Sequence, residues 1–278
     1  MAHTALVLGG GGVTGIAWEL GILKGLADAG QNLSSADTVI GTSAGSVVGA
    51  QLTSGRSVHE LYEGQLGPAD AEIGAKFGLT TILRMTMPAL LPGSAAEKRS
   101  RIGRAALKAH PESAEARVEV IGSRMESRHW PQRDLRITAV DTATGELRVF
   151  GPDCGVDLVH AIAASCAVPL VWPAVQIGDR RYMDGGIRST ANVDLATGAD
   201  AVVVLAPLPQ SFSKHHAIPA QLARLGDQVR SVVATPDKEA LAAIGRNVLD
   251  PTKRADAART GLRQAAEVAD RVAVVWAR

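Results

Sequence analysis

The sequence predicts an α/β fold, a three-layer sandwich with a mainly parallel central sheet and helices on both faces. Short runs that are apolar almost throughout, such as Thr4–Leu8 and Ala201–Leu205, are typical of strands covered on both faces. These runs alternate with segments of helical character, and that alternation favours parallel strands. We treat residues 1–278 as one domain, with a core over roughly 4–206, a helical insertion or lid over 70–133 and a helical C-terminal part over 213–278.

Composition narrows the classes of function. The 278 residues are 46% hydrophobic and only 3% aromatic, with a formal net charge of +1. Nucleic acid is therefore disfavoured as a partner, because its binding uses basic surfaces and aromatic stacking. Cys154 and Cys166 have no metal-site spacing, and we expect free thiols in a reducing compartment. Neither a metal nor a cofactor is predicted.

The first fifty residues read as strand, glycine loop, helix, strand and helix. The strand over 4–8 runs directly into Gly9–Gly12, and a helix over 13–29 follows, with Gly30 as its stop. A second strand over 38–40 leads into a helix of small residues over 44–52. The loops after neighbouring parallel strands lie at the same edge of the sheet, where catalytic groups collect.

The second strand ends in Gly41-Thr-Ser-Ala-Gly45, a G-x-S-x-G motif. A strand that turns into a helix at this motif holds the central residue, Ser43, in a strained and exposed position. The flanking glycines Gly41 and Gly45 let strand and helix approach closely. The start of the helix, at Ala44, favours a developing negative charge. The motif and its context predict that Ser43 is a nucleophile.

The glycine loop has three interpretations. Gly10-Gly-Gly-Val-Thr-Gly15 matches the dinucleotide fingerprint, but the acidic residue expected at the end of the second strand is missing. Alternatively, the amides of Gly10, Gly11 and Gly12 form an oxyanion hole for Ser43. A glycine turn with a purely structural role is the third. We favour the oxyanion hole.

Two segments of the insertion bear on substrate access. Residues 77–92 are apolar and interrupted by Pro88 and Pro92, which predicts either a kinked core helix or a lid over an acyl-binding cleft. Residues 97–110 are basic and amphipathic, a pattern typical of a solvated face or, less often, of contact with anionic lipid.

The second half of the chain brings a carboxylate to a strand end. Strands are predicted over 135–140 and 146–150, a helix over 157–165, and a strand pair over 175–183. Asp184-Gly185-Gly186 follows that pair at once. After the buried strand over 201–205, we expect only helices.

Ser43 needs a base, and the sequence leaves two choices. Histidine is the usual base, and Ser43, Asp184 and then His215 or His216 follow the chain order of an α/β-hydrolase triad. Against this, Ser43 comes after only two strands, too early for that fold. The alternative is Asp184 as sole base, with its pKa raised by desolvation.

Three motifs in this order resemble the patatin-like phospholipase family: the loop Gly9–Gly15, the Ser43 elbow and Asp184-Gly185-Gly186. Residues 163–169 are also similar to a segment that the family carries upstream of its Asp-Gly-Gly. The resemblance covers roughly residues 4–206 and differs at Thr14, where the family usually has Arg or Lys. That difference bears on phospholipid preference more than on acyl-ester cleavage.

The resemblance implies a serine acyl hydrolase acting on lipid esters. Ser43 would be acylated and Asp184 would be its base, with no histidine. Gly10, Gly11 and Gly12 would form the oxyanion hole with the Ala44 amide. A non-catalytic lipid-binding protein of the same fold and, less favoured, a dinucleotide-binding oxidoreductase remain as alternatives.

The N-terminus lacks the basic region of a signal peptide, and the sequence has no apolar run of about 18 residues. We therefore expect a cytoplasmic protein that makes, at most, peripheral contact with a membrane.

Overall fold

The computed structural model of the protein describes residues 2–68, 74–75, 78–211 and 213–277. Within these ranges, eight strands form one sheet: β1 (Thr4–Leu8), β2 (Thr38–Thr42), β3 (Asp134–Asp141), β4 (Leu147–Phe150), β5 (Val175–Ile177), β6 (Arg180–Asp184), β7 (Ala201–Leu205) and β8 (Arg230–Ala234). The helices are α1 (Gly12–Asp28), α2 (Ala44–Thr53), α3 (Val58–Leu66), α4 (Leu79–Thr86), α5 (Ala95–Ala109), α6 (Glu115–Gly122), α7 (Leu158–Ser165), α8 (Ile218–Leu225), α9 (Lys238–Ile244) and α10 (Arg254–Trp276). The predicted α/β class is confirmed.

The sheet is parallel at its centre and antiparallel at one side. Its order is β5-β6-β3-β2-β1-β7-β8, and β4 also pairs with β3. Five adjacent strands are parallel to one another: β3, β2, β1, β7 and β8. The other three strands, β4, β5 and β6, pair in antiparallel fashion. The loops that follow β1 and β2 therefore open at the same edge.

Alternation along the central strands builds the three layers. Leu6 and Leu8 of β1 face the main core, which α1, α2, α7 and α10 cover. Ala5 and Val7 point the opposite way, into a smaller cluster with Ile218 of α8. Successive strand residues face opposite sides, so an apolar strand such as β1 needs helices or loops on both.

The C-terminal helix belongs to the main core. Backbones of α1 and α10 approach so closely that a Cβ on Gly21 would lie 2.1 Å from the Ala258 carbonyl oxygen. The indole of Trp18 donates a hydrogen bond to the Gln264 side chain (3.0 Å) inside this contact. The packing against α10 therefore holds α1, the helix that begins at the glycine loop, in place.

Two predictions about elements need correction or completion. The C-terminal part is not wholly helical, because β8 extends the sheet beside β7; its short Val-Val centre gave too weak a signal. The apolar segment is interrupted as predicted: α4 ends at Thr86 and Met87–Leu90, which contains Pro88, is a 3-10 turn. Parts of the insertion, residues 69–73 and 76–77, lie outside the described residues.

Helices α3 and α5 begin with strong local signals. Ser57 with Glu60 and Ser94 with Glu97 form capping boxes at the starts of α3 and α5, each pair satisfying amides that a helix start leaves open. Among the described residues, none of these helices has the length and apolar character to cross a bilayer.

Candidate active site

Ser43 occupies the turn between β2 and α2, as predicted. Its backbone has φ 52° and ψ −115°, a region that non-glycine residues rarely adopt and that costs roughly 1–3 kcal/mol. The turn places the side chain at the start of α2, where backbone amides lack partners within the helix. Strain of this kind persists only where the surroundings fix the backbone.

The peptide groups of Ser43 are held by three side chains. The Ser43 amide donates to the Ser165 hydroxyl (2.9 Å), and the Ser46 hydroxyl donates to the Ser43 carbonyl (2.6 Å). The Cys166 thiol donates to the same carbonyl (3.3 Å). Sequence reasoning did not assign these roles, although residues 163–169 had been singled out as similar to a family segment.

The glycines of the elbow are required by close packing. A Cβ on Gly45 would lie 2.1 Å from the Leu8 carbonyl oxygen, and one on Gly41 would lie 2.6 Å from the Gly45 carbonyl oxygen. Real Cβ atoms do not approach backbone this closely, so strand and helix can meet here only because both residues lack side chains. This confirms the close approach that the motif predicts.

The strand register brings Asp184 beside Ser43. Along β3, Thr138 pairs with Thr42, and the next residue, Ala139, pairs with Asp184. Ala139 pairs with β4 on one edge of β3 and with β6 on the other. β6 therefore lies on the same edge of β3 as β2, just beyond the point where β2 ends before Ser43. The two side chains meet at this junction.

Asp184 is a buried carboxyl that accepts a hydrogen bond from the Ser43 hydroxyl. Burial raises its pKa from 3.8 to about 6, while hydrogen bonding from the Ser43 hydroxyl and from the Gly186 amide opposes that rise. The Gly186 amide lies 2.7 Å from Oδ1 of Asp184. A carboxyl with a pKa near 6 is a better base than an ordinary aspartate, yet is still mostly ionised at neutral pH.

A buried polar network lies behind the two catalytic candidates. Asn192 donates to the Thr42 hydroxyl (3.0 Å) and the Ser189 carbonyl (2.8 Å), and the Thr42 and Thr138 hydroxyls share a hydrogen bond (2.9 Å). A Cβ on Gly185 would lie 2.3 Å from the Thr138 hydroxyl, which explains the first glycine after Asp184. Nothing in the sequence pattern pointed to Asn192.

The glycine loop borders the same site. The Gly10 amide donates to the Thr190 carbonyl (2.7 Å), so it shapes the loop and is not open to a ligand. Gly12, the first residue of α1, has φ 60° and a Cβ there would lie 2.5 Å from the Val248 carbonyl oxygen. Gly12 and Ala44, each at a helix start, line one depression with Ser43.

That depression holds about 490 Å³ of empty space, part of it open to solvent. Its walls are mainly apolar, with Cys166, Trp172 and two arginines, Arg117 and Arg124, among them; the apolar side chains are Val13, Ile16, Val47, Ile121, Met125, Val168 and Leu249. A second depression of about 620 Å³ adjoins it across Arg124 and Met125 and does not reach Ser43. The apolar lining of the first depression is therefore suited to contact with an apolar chain beside Ser43.

Comparison with known families identifies the domain. The model of the family described as patatin-like phospholipase matches residues 6–197. The chain belongs to the patatin-like phospholipase family. The matched range contains the glycine loop, the Ser43 elbow and Asp184-Gly185-Gly186, and it ends before β7.

Solved structures similar to this patatin-like chain include those of two bacterial proteins, VipD and ExoU. VipD from Legionella pneumophila is 14% identical, with a TM-score of 0.48 and coverage of 97% of this chain and 67% of VipD. The type III effector ExoU is 17% identical, with a TM-score of 0.43 and coverage of 100% and 54%. A structure of SpcU in complex with ExoU from Pseudomonas aeruginosa gives 20% identity, a TM-score of 0.44 and coverage of 99% and 53%. The chain thus spans about half of ExoU. No curated protein matched.

Among the described contacts of Ser43 and Asp184, none involves a histidine. Among the described residues that line the Ser43 depression there is no histidine. Burial, with the nearby charges of Arg188 and Arg99, lowers the pKa of His216 to about 4, so its imidazole is a poor proton acceptor. No cluster of three metal-ligating side chains occurs in the described part of the chain.

Proposed function

We propose that this protein is a serine hydrolase that cleaves acyl esters of lipids, with Ser43 as nucleophile and Asp184 as its only base. One observation carries the proposal: the buried Asp184 carboxyl, with its pKa raised to about 6, interacts with the hydroxyl of a strained elbow serine. Family membership supports lipid esters as the substrate class.

In the acylation step, the Ser43 oxygen attacks the acyl carbonyl carbon while its proton passes to Asp184. The carbonyl oxygen becomes the oxyanion of a tetrahedral intermediate. Asp184 then returns the proton to the departing alcohol as the ester bond breaks, leaving an acyl group on Ser43. In deacylation, water gives a proton to Asp184 and attacks that acyl group. Asp184 then returns the proton to the Ser43 oxygen as the carboxylic acid leaves, which regenerates both side chains.

We further propose that the amides of Gly11, Gly12 and Ala44 stabilise the oxyanion. Gly12 and Ala44 line the depression with Ser43 and stand at helix starts, where amides lack intrahelical partners. Gly10, which the sequence also suggested as an oxyanion donor, is left out because its amide donates to the Thr190 carbonyl. Since the loss of one such donor typically costs about 100- to 1000-fold in kcat, this group would supply much of the rate enhancement.

Residues 78–92 are proposed as a lid that contacts the lipid surface. Met85 anchors the segment by packing with Met183, the residue before Asp184. Outward-facing apolar side chains follow: Leu83, Met87, Leu90 and Leu91 are all more than half exposed. Such a surface is suited to the interface of an aggregate of lipid.

The test is substitution of the two reacting side chains. Ser43→Ala should abolish hydrolysis of p-nitrophenyl butyrate and labelling by a fluorophosphonate. Ser54→Ala, at the other end of α2 and solvent-exposed, is the matched control and should keep both activities. Full activity of Ser43→Ala would end the proposal.

A second comparison separates the two possible bases. Asp184→Asn should lose activity, whereas the His215→Ala/His216→Ala double variant should retain most of it. A dead double variant beside an active Asp184→Asn would favour the triad and contradict the role proposed for Asp184.

A further inference from the structure

Three consecutive residues at the end of α7 contact both Ser43 and Asp184, the proposed nucleophile and base. Ser165, the last residue of the helix, accepts a hydrogen bond from the Ser43 amide through its hydroxyl (2.9 Å). The Cys166 thiol donates to the Ser43 carbonyl (3.3 Å). The Ala167 carbonyl accepts a hydrogen bond from the Asp184 amide (3.0 Å). One short stretch of chain therefore holds the backbones of both residues.

The course of this stretch is fixed on both sides. Before it, the Cys166 amide donates to the Ile162 carbonyl (2.9 Å) in the last turn of α7. After it, Leu170 has φ 65°, a left-handed conformation that residues other than glycine rarely adopt. Leu170 packs against the apolar cluster that contains Met183, the residue before Asp184. Since such backbone strain persists only where the surroundings determine the conformation, the stretch has a defined position beside the site.

Ser165 acts on Ser43 from behind and does not face the substrate. Its side chain is fully buried, and the described lining of the Ser43 depression includes Cys166 but not Ser165. The amide that Ser165 holds belongs to a residue with strained backbone, at φ 52°. A buried amide that loses its acceptor is costly, so removal of this hydroxyl favours rotation of the Ser43 peptide group.

We propose that Ser165 is a positioning residue, whose hydroxyl orients the Ser43 peptide group so that the Ser43 side chain stays in hydrogen-bonding contact with Asp184. A reacting atom displaced by about 1 Å can lower a rate by about 100-fold, because attack and proton transfer both need aligned atoms. The effect on rate rests on the hydrolase activity proposed above; the effect on the contact between the two side chains does not.

This contact has a measurable signature in the pKa of Asp184. Burial raises that pKa to about 6, and the hydrogen bond from the Ser43 hydroxyl keeps it from rising further. If Ser43 turns away, the pKa of Asp184 should therefore rise above 6. Cys166 is a titratable group that faces the same carboxylate, but burial and the charge of Asp184 raise its pKa to about 12. The thiol thus stays neutral while Asp184 titrates.

The first experiment compares three substitutions at one position. Ser165→Ala removes the hydroxyl, Ser165→Thr keeps it, and Ser165→Val has the shape of threonine without the acceptor. For p-nitrophenyl butyrate, the alanine and valine variants should lower kcat about 10- to 100-fold with KM changed less than about twofold. Threonine should recover most of the kcat that valine loses. Ser100→Ala removes another buried serine hydroxyl, one that accepts from Arg104 within α5, and should keep the kcat of the parent.

The second experiment follows the pKa of Asp184. In the pH profile of kcat/KM, the apparent pKa should rise in Ser165→Val and stay near 6 in Ser165→Thr, whereas a residue that only stabilised the fold would lower Tm and leave this pKa in place. Urea unfolding of Ser165→Val with and without Asp184→Asn, between pH 4 and pH 9, measures the same pKa without an ester. The stability difference should be larger, and level off at higher pH, than the difference that Asp184→Asn makes in the parent.

The outcomes separate the two proposals. If the parent hydrolyses no ester while the unfolding difference shifts as expected, the hydrolase activity fails and the positioning role of Ser165 stands. Parent-like kcat and an unshifted pKa in Ser165→Val, or equal losses in the threonine and valine variants, would overturn that role. Should the added methyl group prevent both variants from folding, Ser165→Ala decides by the same two measurements, with the results expected for valine.

Discussion

Asp184→Asn is predicted to produce an inactive protein that is more stable than its parent at neutral and alkaline pH. Folding removes the Asp184 carboxyl from water and raises its pKa from 3.8 to about 6. A carboxyl whose pKa is raised by folding binds its proton more tightly in the folded state, so stability is full below pH 4 and falls as pH rises to about 6. Asparagine never ionises and avoids this loss.

The size of the effect follows from the same pKa values. Each tenfold change in an equilibrium constant corresponds to about 1.4 kcal/mol, so the ionised carboxylate destabilises the folded state by about 3 kcal/mol at pH 8. Asparagine has nearly the same shape and retains an oxygen that can accept the Gly186 amide hydrogen bond. For a chain of 278 residues, the gain corresponds to a rise of roughly 5 °C in Tm.

The assay is urea unfolding of parent and variant, followed by far-ultraviolet circular dichroism between pH 4 and pH 8. The difference between the two proteins is the relevant quantity, because the buried Glu19 also has a raised pKa and its contribution cancels. The difference should be close to zero at pH 4 and reach its maximum above pH 7. An equal difference at every pH, or a variant less stable than the parent at pH 8, would refute this account of Asp184.

Asp141 supplies a matched control, because folding lowers its pKa where it raises that of Asp184. Burial raises its pKa, but hydrogen bonds from Arg180 and from the Thr144 and Ala143 amides outweigh burial and hold the pKa below its ordinary value. Its ionised form therefore stabilises the fold at neutral pH, and that stabilisation is lost on acidification. Asp141→Asn should be less stable than the parent at pH 8.

Three further outcomes follow from the site and the lid. The kcat/KM for p-nitrophenyl butyrate should rise with pH through about 6 as Asp184 ionises and then level off; a flat profile from pH 5 to 8 would contradict this. Gly45→Ala, whose Cβ would lie 2.1 Å from the Leu8 carbonyl oxygen, should destabilise the protein by about 3 kcal/mol or more, whereas Gly64→Ala, with open space in α3, should not. Leu90→Asp, at a position 78% exposed, should reduce binding to phospholipid vesicles in a sedimentation assay and spare hydrolysis of soluble esters.

The elements nearest the site were predictable because their signals are local. Alternation of apolar runs with helical segments gave β1, α1, β2 and α2 to within two residues at each end. Gly41 and Gly45 predicted a close approach of strand and helix, because any other residue would place a Cβ against the neighbouring backbone. Local signals failed at β8, a short edge strand whose place in the sheet depends on pairing with β7.

Several supporting roles could not be predicted from the sequence. Asn192 and Ser165 are ordinary polar residues until folding places one behind Thr42 and the other against the Ser43 amide. The bond between Gly10 and Thr190 likewise depends on a loop far away in sequence. Hydrogen bonds between distant segments leave no periodic pattern to detect.

The sequence by itself determined the kind of site, because a serine between glycines at a strand end and an aspartate before two glycines have narrow backbone requirements. The tertiary structure decided how they act together. The register of β2 and β6 on one edge of β3 places the two side chains in contact, and burial at that junction sets the pKa of Asp184. Register and burial are properties of the whole packed sheet, which is why only the folded chain supplies them.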